Sequence, residues 1–122
     1  EVTDPDPLST RETVDYNRQQ VIRTDDLDGW LHRMRDRRGK LRILRRIERL
    51  IGGNPGDARP IGGGLSELRI DVGPGYRVYY LREAEVLILL LCGGDKSTQT
   101  TDIAKAHMLA DEWRSTRGAE QS

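Results

Sequence analysis

The sequence has 122 residues, of which 35% are hydrophobic and 33% are charged, and its formal net charge is zero. This length fits one small domain, and the charge balance argues against a simple basic nucleic-acid-binding protein. One cysteine and two histidines exclude a disulfide framework and a credible metal site, and no apolar run approaches the ~20 residues of a membrane span, so we expect a cytoplasmic protein without a cofactor.

The zero net charge hides an uneven distribution of charged residues. Residues 1–28 hold eight acidic and three basic side chains, whereas residues 30–50 hold nine basic and two acidic ones. Arginine outnumbers lysine seventeen to three. Because the planar guanidinium binds phosphate and carboxylate groups through two parallel hydrogen bonds, this bias favours an acidic or phosphate-bearing partner. A solvated helix face would tolerate lysine equally well, so the bias is mild evidence.

The chain is predicted to begin with a polar segment and a short strand. Residues 1–17 lack hydrophobic periodicity and contain two prolines, which predicts a flexible arm. Gln19–Thr24 is a candidate strand. We place a single domain over residues 18–116 and a disordered tail over residues 117–122.

Two amphipathic helices follow. Thr24 or Asp25 caps the first helix, whose apolar stripe has the i, i+3, i+4, i+7 spacing and consists of Leu27, Trp30, Leu31 and Met34. The second helix spans about residues 40–51 and has an apolar side and an arginine side, the latter formed by Arg42, Arg45, Arg46 and Arg49. We expect the two helices to form a hairpin over one sheet face. The arginine side is typical of a solvated surface, and the alternative is a contact with ribosomal RNA.

Three strands and a last helix complete the pattern, after a loop rich in glycine and proline over residues 52–64. That loop lies between a helix and a strand and lacks the ending of a phosphate-binding loop, so we do not expect a nucleotide site. Residues 67–72 and 76–81 alternate between apolar and polar side chains around the hairpin connection Gly73-Pro74-Gly75. Val86–Cys92 is apolar throughout, which is typical of a central strand covered on both faces. With a helix over about Thr100–Arg114, the predicted element order is β-α-α-β-β-β-α.

Four polar side chains of this strand region suggest a function. Alternation places Arg69 on the outer face of one strand and Arg77 and Tyr79 on the outer face of the next, and Lys96 follows the central strand. We expect the four to line an open sheet face opposite the helical hairpin. Arginine can hold the non-bridging oxygens of a phosphodiester, and tyrosine can stack on a base. Lysine or tyrosine with a shifted pKa can transfer the proton when a ribose 2′-hydroxyl attacks the phosphate.

Two of these residues, and Asp95 beside Lys96, also have a plainer interpretation. Arg69 can form a solvated ion pair with Glu67 or Asp71. Lys96 can be an ordinary loop lysine. Asp95 can cap the turn or the last helix instead of taking part in chemistry.

Five segments carry a resemblance to a known family: LRILRRIERL (41–50), GNPGD (53–57), ELRI (67–70), GPGYRVYY (73–80) and GGDKSTQ (93–99). Together they resemble the RelE/ParE superfamily of type II toxins, in its HigB-like branch of addiction-module killer proteins. The similarity covers roughly Val21–Ala110, in the same order and spacing. The GPGYRV and GGDKS motifs are specific as a pair.

The resemblance implies a RelE-like α+β fold, in which an antiparallel sheet of about four strands carries an N-terminal helical hairpin on one face, followed by a C-terminal helix. It implies a small toxin that is neutralised by a cognate antitoxin and that cuts messenger RNA on the ribosome, without a metal, by 2′-hydroxyl attack. Arg77 matches the family's phosphate-holding arginine, Lys96 the basic residue after the last strand, and Arg69 the basic residue before the hairpin. We assign these three to catalysis, and to RNA binding Tyr79, Asp95, Arg45 and Arg46.

The sequence leaves two points open. Some relatives use histidines near the site, and none stands in a matching place here, so the general base is unassigned. ParE-like toxins share the fold but bind DNA gyrase without catalysis, and the cluster of Arg69, Arg77 and Lys96 favours the nuclease over this alternative. A weakened relative kept only as a partner for its antitoxin is the third possibility.

Overall fold

The structure, a computed structural model, describes the backbone of residues 10–16, 19–84 and 87–121 and the side chains of residues 20–84 and 87–117. Its strands are β1 (Thr10–Tyr16), β2 (Gln19–Thr24), β3 (Ala58–Gly62), β4 (Leu65–Ile70), β5 (Tyr76–Glu83) and β6 (Leu87–Asp95). Its α-helices are α1 (Asp25–Arg33), α2 (Arg37–Ile51) and α3 (Gln99–Gln121), and a 3₁₀ helix, Lys96–Thr98, precedes α3. The α+β class predicted from the sequence is confirmed.

All described strands form one open sheet in the order β1-β2-β6-β5-β4-β3. β2 runs parallel to β6, whereas every other neighbouring pair is antiparallel, so the sheet is mixed. The prediction of about four antiparallel strands is therefore wrong in count and in the direction of one pair. The chain leaves β2 through α1 and α2, and the next strand to pair with β2 is β6, which runs in the same direction.

The additional strands, β1 and β3, form the two edges of the sheet. β1 lies within the segment expected to be a flexible arm and pairs with β2, while the remainder of residues 1–17 falls outside the described residues. β3 lies in the loop rich in glycine and proline and pairs with β4. Proline is tolerated at such an edge because one side of the strand makes no ladder hydrogen bonds, which explains Pro60. Edge strands also lack strong apolar alternation, so the sequence pattern did not reveal them.

The helical hairpin covers one sheet face, as predicted. Its buried side chains pack against β2, β4, β5 and β6, and the helical members of this core are Leu27, Leu31, Ile43, Ile47 and Leu50. Thr24 and Asp36 cap the two helices, since their side chains accept hydrogen bonds from the main-chain N–H groups of Leu27 at 3.1 Å and Gly39 at 3.0 Å.

The opposite sheet face is covered by α3. Ala106, Ala110 and Trp113 of this helix pack against a second cluster of buried strand residues, which includes Leu65, Tyr79, Leu81, Leu89 and Leu91. This burial on both faces confirms the prediction for the central apolar strand. It also shows that the expected open face is wrong, because α3 lies across it. The helix runs to Gln121, beyond the predicted end near Arg114 and into the residues expected to form a disordered tail.

Among the described residues, no helix combines the length and apolar character needed to cross a membrane. The same residues contain no group of three or more His, Cys, Asp or Glu side chains that could hold a metal ion.

Candidate functional site

Two arginines lie side by side near the hairpin that joins β4 and β5. Arg69 and Arg77 are register partners across these strands. Glycine is needed in the connection because Gly73 and Gly75 adopt φ angles of 57° and 81°. The hairpin therefore brings together the two arginines that strand alternation had assigned to one face.

Arg77 is almost entirely buried, with 6% of its surface exposed. Its Nη1 donates to the main-chain carbonyls of Gly75 and Tyr76, each at 3.1 Å. Its Nε lies 3.8 Å from Glu67 Oε2 and has no hydrogen-bond partner among the described residues. The guanidinium is thus fixed through Nη1, its Nε is buried, and only a small edge of the side chain reaches the surface.

Glu67 is the counterion of Arg77 and is itself only 1% exposed. Its Oε2 accepts hydrogen bonds from the Tyr79 hydroxyl at 3.2 Å and from Gln99 Nε2 at 2.5 Å. Glu67 and Tyr79 are register partners, so strand pairing sets the first contact, while the first residue of α3 supplies the second. This cluster of Glu67, Tyr79, Gln99 and Arg77 joins β4, β5 and α3 beneath the hairpin.

Tyr79 occupies a different position from the one expected. Its side chain is 0% exposed, so it is not placed to stack on a base. Burial, followed by the charge of Glu67 and the hydrogen bond to it, raises the pKa of the Tyr79 phenol well above its usual value. Tyr79 therefore acts in this structure as a buried, protonated donor to a carboxylate.

Lys96 is exposed and lies beside the same hairpin. Its Cβ and the Nη1 of Arg77 each lie 3.5 Å from the point that a Cβ on Gly75 would occupy. The long lysine side chain can therefore reach a ligand of Arg77.

Asp95 acts as the cap of the 3₁₀ helix that carries Lys96, the plainer of its two interpretations. Its Oδ1 accepts hydrogen bonds from Ser97 Oγ at 2.5 Å and from the Ser97 main-chain N–H at 2.8 Å. These bonds, the side-chain one foremost, lower the pKa of the Asp95 carboxyl. The cap fixes the start of the 3₁₀ helix from which Lys96 projects.

Arg69 is partly exposed and lies over the loop before β3. Its Nε is 4.0 Å from Asp57 Oδ2, so its ion-pair partner is neither Glu67 nor Asp71. Its main-chain N–H donates to the Asp57 carbonyl at 2.9 Å. The guanidinium of Arg69 remains available at the rim of the site, because an ion pair of this length and exposure is weak.

The two arginines of α2 assigned to RNA binding differ in their surroundings. Arg45 is exposed. Arg46 donates through Nη1 to the Arg69 carbonyl at 2.6 Å and through Nη2 to the carbonyls of Pro55 and Asp57 at 2.9 and 3.3 Å. Burial lowers the pKa of Arg46. Arg46 therefore links α2 to β4 and to the loop between α2 and β3. We had expected its side chain to be solvated.

The glycine pair before Asp95 is required by packing. A Cβ added to Gly93 would overlap the ring of Trp30 in α1. A Cβ added to Gly94 would overlap the Asp102 carboxylate in the first turn of α3 and Thr98 Oγ1 in the 3₁₀ helix before it. The pair thus lets elements on both faces approach β6 at the point where the chain turns toward Lys96.

Neither the cysteine nor a histidine is placed for chemistry at this site. Burial, with a smaller effect of the Asp102 charge, raises the pKa of the Cys92 thiol to about 12. His107 Nε2 lies 3.1 Å from the Ile61 carbonyl in β3, and His32 is exposed in α1. A shallow groove of about 590 Å³ runs along α3, but it is lined by α3 residues alone and includes none of the site residues.

Comparison with known proteins gives one informative relative. An uncharacterized protein of Haemophilus influenzae is 50% identical to the chain over 93 residues, which is 76% of this chain and 94% of the relative. The chain belongs to the family of that protein. No family model matches the sequence, and no solved structure matches it either.

The family membership assigns no activity, because the relative is described only as uncharacterized. The site itself contains two members that sequence reasoning did not single out, Glu67 and Gln99. A signal for Glu67 was present, since it alternates in phase with Arg69 on the face opposite the core. The sequence pattern did not predict that α3 covers this face, so it could not predict that Glu67 is buried.

Proposed function

We propose that this protein is the toxin of a type II toxin–antitoxin module of the RelE/ParE superfamily, in its HigB-like branch. We further propose that it is a ribosome-dependent endonuclease that cuts messenger RNA by metal-independent attack of a ribose 2′-hydroxyl. The motif resemblance supports the family. The observation that carries the activity is the convergence of Arg69, Arg77 and Lys96 at the β4–β5 hairpin.

The proposed roles follow from the surroundings of the three cations. Arg77 is held through Nη1 and reaches the surface with a small edge, which suits a group that is fixed in place before it meets the scissile phosphate and that stabilises charge in the transition state. Lys96 is exposed, which suits a residue that neutralises charge or donates a proton to the leaving group. Arg69 lies beside Arg77 and suits binding of a neighbouring phosphate.

The partners proposed for this function are the ribosome with its messenger RNA and a cognate antitoxin. The antitoxin neutralises the protein either by covering the hairpin site or by binding the α1–α2 hairpin and excluding the toxin from the ribosome by its bulk.

A ParE-like toxin that binds and inhibits DNA gyrase is the second candidate. The observation that favours it is the lack of an obvious general base among the described residues near Arg77. Tyr79 and Glu67 are buried, Asp95 is engaged with Ser97, and both histidines lie elsewhere. A binding function needs no base.

Induced expression in bacterial cells separates the two candidates. The nuclease proposal expects growth arrest together with new RNA 5′ ends inside coding regions. Arg77→Ala and Lys96→Ala are expected to remove both effects. Arg114→Ala is the control, because Arg114 is an exposed arginine about four turns along α3 from Gln99. Arrest with a block in DNA supercoiling and intact messenger RNA would establish the gyrase candidate instead.

A further inference from the structure

Glu67 is a charged group buried beneath the hairpin. A carboxylate loses much solvation energy on burial and is retained in a protein interior only with hydrogen bonds or a counterion. Glu67 has both, since one of its oxygens accepts from Tyr79 and Gln99 and lies 3.8 Å from Arg77 Nε. The two neutral donors come from different elements, β5 and α3, and they hold the carboxylate in place.

Direct participation of Glu67 in chemistry is excluded by its burial. Its surface is 1% exposed, and Arg77 and Tyr79 both lie against it, so a substrate hydroxyl has no access to its oxygens. The contact that points toward the proposed RNA site is the one with Arg77.

Arg77 is held from two sides. The carbonyls of Gly75 and Tyr76 bind Nη1, while Glu67 lies on the Nε side. Arginine side chains have many rotamers, and a guanidinium that is fixed before its ligand arrives loses less entropy on binding. The carboxylate also offsets the cost of burying the positive charge of Arg77.

We propose that Glu67 is a positioning residue that acts through Arg77. Held by Tyr79 and Gln99, it fixes the plane of the guanidinium and so directs the small exposed edge of Arg77 toward the scissile phosphate. Gln99 makes the first turn of α3 part of this arrangement. The inference rests on the proposed function for its consequence in catalysis, but the positioning itself is a property of the free protein.

The positioning is tested by NMR of the Arg77 Nε–Hε group, which Arg77→Lys assigns by removing the signal. In the wild-type protein the group is expected to give a heteronuclear NOE typical of a rigid backbone. In Glu67→Gln, which keeps the side-chain shape, the NOE of this group is expected to fall toward that of a mobile side chain, while backbone NOEs stay unchanged. Glu48→Gln is the matched control, because it removes the charge of an exposed glutamate in α2. An Arg77 side chain equally rigid in Glu67→Gln would overturn the proposal.

The catalytic consequence is tested by a double-mutant cycle on messenger RNA cleavage. Glu67→Gln is expected to slow cleavage by at least about tenfold with KM little changed, since misplacement of a catalytic group lowers the rate of the chemical step. The same substitution in an Arg77→Ala background is expected to have no further effect. Independent effects of the two substitutions, each multiplying the other, would show that Glu67 does not act through Arg77.

The two tests distinguish failure of this inference from failure of the proposed function. A wild-type protein that cuts no RNA contradicts the proposed function, and the NMR measurement still decides whether Glu67 positions Arg77. If Glu67→Gln does not fold, Tyr79→Phe keeps the carboxylate and removes one of its two neutral donors. That variant is expected to lower the Arg77 NOE in the same direction, and an unchanged NOE there contradicts the proposal.

Discussion

At the level of single residues, Gly93 shows that part of the GGDKS motif is required for packing between β6 and the helices. Gly93 is in β6 and packs directly against the ring of Trp30, which belongs to helix α1 of the helical hairpin. The glycine leaves room for an aromatic side chain where any other residue would press against it. The motif therefore combines a packing requirement, at Gly93 and Gly94, with the proposed chemistry at Lys96.

Gly93→Ala is expected to lower the free energy of unfolding by about 1–3 kcal/mol, because an added methyl group must displace a packed indole. Chemical denaturation measures the change. Gly52→Ala is the control, since the nearest atoms to an added Cβ there lie 3.6 Å away, at ordinary van der Waals distance. Equal stabilities of Gly93→Ala and Gly52→Ala would contradict the packing described for Trp30.

Cys92 predicts a change in stability at alkaline pH. Burial, with a smaller effect of the Asp102 charge, raises the pKa of its thiol from 9.0 to about 12 in the folded protein. Between these values the unfolded chain releases a proton that the folded chain retains, so the stabilising contribution is complete below pH 9 and is lost as pH rises toward 12. One proton corresponds to about 1.4 kcal/mol per pH unit.

Denaturation curves between pH 8 and about pH 11 test this expectation. The wild-type free energy of unfolding is expected to fall more steeply with pH than that of Cys92→Ala. The buried tyrosines contribute to the decline in both proteins, because burial raises the pKa of Tyr76 to about 12 and raises that of Tyr79 as well. Parallel slopes for the two proteins would show that the thiol is not protected in the folded state.

At the level of elements, α2 is joined to the sheet by a polar contact as well as by its apolar face. Arg46 donates to carbonyls of β4 and of the loop that follows α2. One of these carbonyls belongs to Arg69, so the contact also fixes the backbone at the rim of the proposed site. The helix thus contributes to the site without presenting a side chain to it.

Arg46→Ala is expected to lower the free energy of unfolding by about 2 kcal/mol, because it removes charge-assisted hydrogen bonds and leaves two partly buried carbonyls without this donor. Arg45→Ala provides the comparison, since Arg45 is the exposed neighbour on the same helix and its removal is expected to change stability by no more than about 0.5 kcal/mol. Thermal and urea denaturation measure both variants. A change at Arg46 as small as that at Arg45 would show that the hydrogen bonds of Arg46 do not contribute to the free energy of unfolding.

Alternation and helical periodicity predicted the inner elements well and the outer ones poorly. The helical hairpin, β4, β5 and the buried central strand followed from apolar patterns, because each of these elements buries a continuous face. The edge strand β3 has no fully buried residue, so its sequence resembles a loop. The length of α3 was also underestimated, because its last residues are polar and carry no apolar stripe.

At the level of the whole molecule, the two layers of helices explain which part of the site was predictable. Alternation placed Arg69, Arg77 and Tyr79 on one face, and the structure brings them to the same end of the sheet. Alternation cannot say what covers a face, and α3 buries Tyr79 and Glu67 while leaving the rim to Arg69 and Lys96. The site is therefore smaller and more peripheral than an open sheet face. The charged and polar cluster around Glu67 lies buried beneath it.

The most direct test of the central claim uses purified protein and messenger RNA engaged on ribosomes in a reconstituted translation reaction. The wild-type protein is expected to cut the messenger within the coding region, with Arg114→Ala cutting at the same rate. Arg77→Ala is expected to be slower by about 10²–10³-fold, the range for loss of a group that stabilises transition-state charge. Cleavage by Arg77→Ala at the wild-type rate, or an intact messenger with wild-type protein that instead blocks supercoiling by gyrase, would contradict the account.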